Sequence, residues 1–148
     1  MNIPFADNWR KKRGLARGVA VVSAGDGPPD AGAIAELLSE CELLRSQAAA
    51  GGVRLDDSAA SLEALDQLLP RWRDDTDTLS WLGNDAGLYL GTVVVRTVPG
   101  AGWRIWPNGQ PVVRLASGRE IDVVGAGHEW AEAGVPELSQ LYAEISEA

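Results

Sequence analysis

From residue 34 onward the apolar positions fall into a rhythm of three and four: Ile34, Leu37, Leu38, Cys41, Leu44 and Ala48. That spacing predicts an amphipathic helix over about 31–50, with Asp30 as a capping residue and Gly51-Gly52 as its stop. A second stripe, Leu62, Leu65, Leu68 and Leu69, predicts a helix over about 58–69, opened by Ser58 and ended by Pro70. The next stretch, "RWRDDTDT", has no apolar period and reads as a charged loop or as helix-capping acids.

In "GNDAGLYLGTVVVRTVPG" three glycines, Gly83, Gly87 and Gly91, stand four residues apart. Four-residue spacing places them along one side of a helix over about 82–98. Interior glycines disfavour a helix by about 1 kcal/mol each, so packing has to compensate. Trp81, Leu82, Ala86, Tyr89, Leu90, Val93 and Val94 cover the other sides. The expected object is a mostly buried helix whose glycine face admits a second element at close range. A phosphate loop needs G-x-G-x-x-G, or a glycine followed by Lys and Ser or Thr, and no lysine lies beyond Lys12.

After Gly100 the period shortens. "GWRIWP", "QPVVRLA" and "REIDVV", separated by Asn108-Gly109 and Ser117-Gly118, predict a three-stranded antiparallel meander within about 102–123. Trp103, Ile105, Val113, Leu115 and Ile121 are expected to face the core, with Arg104, Arg114 and Arg119 outside. Helices return over about 124–133 and 136–146, the last with Pro136 in its first turn. The result is an α+β domain over 30–148, a small sheet packed with helices, preceded over 1–29 by a basic arm and a Gly/Pro linker.

Charge sharpens this division. Residues 1–17 carry Arg10, Lys11, Lys12, Arg13 and Arg17 against Asp7 alone, net +4. The other 131 residues carry eight basic and twenty acidic side chains, net −12. An acidic body repels nucleic acid and anionic membrane and attracts basic partners, while Trp9 with Arg10, Lys11, Lys12, Arg13 and Arg17 could contact an anionic surface. A single cysteine excludes an internal disulfide and fits a reducing, cytoplasmic setting. No apolar run approaches the roughly 18 residues of a membrane span.

Catalytic patterns are sparse. The lone histidine, His128, has no second imidazole for a zinc site, and the G-x-S-x-G elbow of a serine hydrolase is absent. Asp56, Asp57, Asp85 and Glu129 offer carboxylates that could converge with His128 in a small hydrolase. Cys41 lies on an apolar stripe and reads as a buried small hydrophobe. Asp74, Asp75 and Asp77 lack the glycine and closing glutamate of a calcium loop. No metal or cofactor is expected. Six tryptophans against one phenylalanine suggest either core packing or an interface, and Trp72, Trp81, Trp103 and Trp106 with Asp74, Asp75 and Asp77 form the candidate interface.

The segments "WLGNDAGLYLGTVVVRTVPGAGWRIWPNGQPVVRLASGREIDV", "LLSECELL" and "LDDSAASLEALD" resemble an uncharacterised family of small actinobacterial proteins built on a domain of unknown function. More distantly, "SAASLEAL", "GLYLG" and Trp103 are similar to small bacterial α+β domains, some associated with immunity against toxins. Neither resemblance implies catalytic residues. The acidic α+β body without a catalytic motif is expected to be a non-catalytic protein-binding domain, with an immunity-type inhibitor of a basic partner as its sharpest version. An adaptor tethered through the arm to membrane or nucleic acid is the alternative.

Overall fold

The computed structural model describes residues 31–147, so the basic arm, with Trp9, Arg10, Lys11, Lys12, Arg13 and Arg17, and the capping role expected of Asp30 lie outside the described residues. Helices α1 (Ala31–Leu38), α2 (Glu42–Ala50), α3 (Ala59–Trp72) and α4 (Thr76–Thr97) come first. Strands β1 (Gly102–Ile105), β2 (Pro111–Arg114) and β3 (Glu120–Ile121) follow, then α5 (Val123–Ala133) and α6 (Leu138–Ser146). The strands form an antiparallel sheet in the order β1-β2-β3, as expected of an α+β meander. Gly109 and Gly118 turn the two hairpins at φ 88° and 93°, values that glycine adopts without a Cβ penalty.

Helix α4 is the axis of the domain. Every residue from Leu82 to Val94 except Asn84 is buried. Its glycine face receives α5: a Cβ at Gly87 would stand 2.7 Å from Val124 Cα, and one at Gly83 would stand 2.8 Å from His128 Nδ1. On the facing helix a Cβ at Gly127 would come within 2.6 Å of Gly87 Cα. Glycine therefore meets glycine, and the two helices touch backbone to backbone. One turn on, the space over Gly91 is filled by the indole of Trp103 from β1, whose Cζ2 would lie 2.9 Å from an added Cβ. The cost of three helical glycines is offset by this close approach and by the burial of the apolar residues around it.

Cross-strand partners Trp103, Val113 and Ile121 share the sheet face turned to α4, and Arg104, Arg114 and Arg119 are exposed, as the alternation predicts. Four boundaries differ from the sequence reading. The helix expected over 31–50 breaks at Ser39–Cys41, where Cys41 takes a left-handed conformation at φ 42°. Apolar periodicity continues through the break because α1 and α2 both pack on α4, so the pattern carries no trace of it. Pro70 does not end α3: it sits in the last turn, where its missing N–H removes one ladder bond and the helix still reaches Trp72. The supposed loop after it is short, and α4 starts at Thr76, capped by Asp75, whose carboxylate accepts from Thr78 N at 3.1 Å. Finally, Pro136 lies ahead of α6, which starts at Leu138 after an extended Glu137.

Gly87→Ala is expected to destabilise the domain by about 3 kcal/mol, since an added methyl meets backbone that side-chain motion cannot relieve. Gly102→Ala, where a Cβ meets nothing within 4 Å, should stay within about 0.5 kcal/mol of wild type. Urea denaturation of both variants checks the contrast, and equal midpoints would contradict the backbone contact.

Candidate functional site

Among the described residues, most acids are exposed, and the three that are not have bonds within the fold. Asp85, on α4 and 5% exposed, accepts from Leu44 N at 3.1 Å and so caps α2 from a distant element. The Cys41 thiol donates at 3.5 Å to the Asp85 carbonyl, and burial first, then the Asp85 charge, pushes its pKa well above the ordinary thiol value. Asp66, on α3, serves α6 in the same way. Its Oδ1 accepts from Trp130 Nε1 and Leu138 N, both at 2.9 Å, and its Oδ2 from Ser139 N at 3.1 Å and Ser139 Oγ at 2.6 Å.

Asp57 is held between two guanidinium groups, Arg45 at 2.8 Å and Arg96 at 3.2 Å. Its backbone N–H donates to Tyr89 Oη at 2.8 Å, and Tyr89 Oη lies 2.6 Å from Ser61 Oγ. Because Ser61 Oγ donates to the Ser58 carbonyl at 2.5 Å, the phenol is the donor to Ser61. Burial raises the Tyr89 pKa, while its hydrogen bonds to Ser61 and Asp57 pull it back in part. The network locks the α2–α3 loop onto α4. Of the four carboxylates that could have met around His128, Asp57 and Asp85 are thus engaged in the fold, Asp56 bonds Ser58 Oγ at 2.5 Å, and Glu129 and His128 are exposed on α5. The described residues contain no cluster of three or more His, Cys, Asp or Glu that could hold a metal ion.

The candidate interface divides. Trp72 is in the core at 9% exposure, so of the two readings left open for the tryptophans it takes core packing and leaves the candidate interface, because the turn of α3 beyond Pro70 points it inward. Trp130 is fully buried, and Trp81, Trp103 and Trp106 are half-buried, with Trp106 Nε1 donating to Glu120 Oε1 at 2.9 Å. Trp103 covers Gly91, about 20 Å along α4 from Asp77 at 1.5 Å per residue, so the sheet tryptophans and the three aspartates do not form one patch.

The aspartates have other neighbours. Val123 and Val124 face Gly87, while His128 and Ala131 face Gly83, so α5 runs antiparallel to α4. The α5–α6 turn therefore lies beside the α3–α4 turn, and a Cβ at Gly134 would meet the Arg73 guanidinium. This pole gathers Asp74, Asp75, Asp77, Glu132 and Glu137, all exposed, with Arg71 and Arg73 as its cations. Among them stands Val135, 64% exposed, the large hydrophobic residue most open to solvent among the described residues. Glu132, Val135 and Glu137 were not among the sequence candidates: only the antiparallel α4–α5 contact brings them to the aspartates.

Asp66→Ala should cost about 3 kcal/mol, because it leaves an indole N–H and two backbone N–H groups without their acceptor. Hydrogen exchange should show α6 amides losing protection before those of α5; uniform loss would count against a local cap. Asp75 has its pKa lowered by the Thr78 side-chain and backbone hydrogen bonds, so its contribution is present above the unfolded carboxyl value and lost as pH falls through the folded one. Acid titration followed by amide exchange at residues 76–79 should show this fraying, and Asp75→Asn should remove the pH dependence.

The chain matches no curated protein and no solved structure. Over residues 1–148 it matches the family described as "Family of unknown function (DUF6278)", and the protein is a member of that family.

Proposed function

We propose that this protein is a non-catalytic, cytoplasmic interaction domain that binds a basic protein through the pole at the α3–α4 and α5–α6 turns. The observation that carries this reading is that exposed Asp74, Asp75, Asp77, Glu132 and Glu137 and the exposed Val135 belong to two turns brought side by side, where Gly134 meets Arg73. The carboxylates steer a cationic partner and the apolar residue offers it a dry contact. Arg71 and Arg73 leave the pole with a net charge of −3 over residues 71–79 and 132–137. An immunity-type inhibitor of a basic toxin is the sharpest form of the proposal. No helix among the described residues is long and apolar enough to cross a membrane.

The +4 charge of residues 1–17 supports the alternative, an adaptor held to an anionic surface by its arm. Affinity capture from lysate of the source cell tests both. The full-length protein is compared with Asp74→Lys/Asp77→Lys/Glu132→Lys and with a variant in which Arg10, Lys11, Lys12, Arg13 and Arg17 are replaced by Gln. The proposal expects a defined basic protein, weakened at least tenfold by the charge reversal, sensitive to salt, and unaffected by the arm variant. Capture lost only in the arm variant would transfer the function to the arm.

A further inference from the structure

A cleft of about 360 Å³ opens between α1, α4 and β1, lined by Ala35, Glu36, Ser39, Thr92, Val95, Arg96 and Trp103. That volume is at the lower end of small-molecule sites, roughly 300–1,000 Å³. Its two hydroxyls are turned into the helices: Ser39 Oγ donates to the Glu36 carbonyl at 2.8 Å and Thr92 Oγ1 to the Leu88 carbonyl at 2.9 Å. The remaining inner surface is apolar, with the Trp103 indole seated over Gly91. Charge enters from opposite walls, Glu36 from α1 and Arg96 from α4, and no ion pair joins them among the described residues.

Arg96 retains attraction for an anion despite Asp57. One carboxylate is shared by two guanidinium groups, so the group Arg45, Asp57 and Arg96 carries +1. Arg45 is surrounded by acceptors, with the Glu40 and Leu55 carbonyls at 3.0 Å, the Ser39 carbonyl at 2.9 Å and Asp57 itself. Arg96 meets Asp57 through Nε at 3.2 Å and stays 58% exposed, so its guanidinium, part of the cleft wall, is open to a second anion.

We propose that this cleft binds a small zwitterion with an apolar body, of the chemical class of the hydrophobic α-amino acids. The carboxylate pairs with Arg96, the ammonium with Glu36, and the side chain lies against Trp103. Such a site is independent of the acidic pole.

Isothermal titration of the full-length protein with L-phenylalanine and L-leucine tests it. Saturable one-to-one binding is expected, weakened at least tenfold for the methyl esters, which lack the carboxylate, and for the N-acetyl derivatives, which lack the ammonium. Arg96→Gln and Glu36→Gln change exposed side chains and should each reproduce the tenfold loss with the free amino acids while thermal midpoints stay near wild type. No saturation up to about 10 mM would overturn the proposal. So would N-acetyl derivatives that bind as well as the free amino acids, which would mark the carboxyl end of a peptide as the ligand, or unchanged affinity in both variants.

Discussion

The contact of Gly87 with Gly127 sets the geometry of everything around it. Two helix backbones in direct contact fix the spacing and antiparallel direction of α4 and α5, and both turns at their common end follow from that direction. The sheet depends on it too, because β3 leads directly into α5 and Trp103 takes the next glycine along the same face. A side chain at position 87 would push α5 outward and take the sheet with it. This is why a long helix with three interior glycines, poor by intrinsic propensity, is the most deeply buried element of the fold.

Around that axis the remaining polar groups act as fasteners. Asp85 and Asp66 each reach across to the N-terminus of a helix that lacks a side-chain cap of its own, where backbone N–H groups and the helix dipole favour negative charge. Asp57 holds the α2–α3 loop through Arg45 and Tyr89. An otherwise acidic protein thus spends its few shielded carboxylates on joining elements, and its exposed ones give the surface its charge.

Much of this was legible in the sequence. The glycine spacing, the placing of Trp103, Val113 and Ile121 against the core with the arginines outside, and the Asn-Gly and Ser-Gly turns each report a local constraint, and each appears in the structure; Ile105, at the end of β1, is half-buried and lies outside the core cluster. The break at Cys41 did not, because two helices packing on one partner keep a common apolar period. Nor did the roles of Asp85 and Asp66, which depend on residues 41 and 72 positions away and leave only an acid next to an apolar stripe as their signal. The acidic pole was half legible: Asp74, Asp75 and Asp77 stand together in the sequence, but their companions across the α5–α6 turn are brought in by tertiary packing alone.

The borrowed caps impose an order on folding during synthesis. A ribosome releases residues 42–50 well before residue 85, so α2 emerges without the carboxylate that closes its first turn. The reverse holds at the other end, where α6 emerges after Asp66 and meets its cap already in place. A nascent polypeptide of this sequence can therefore assemble around α3 and α4 and then add α6, while α2 must wait for its cap until the segment carrying Asp85 has left the exit tunnel.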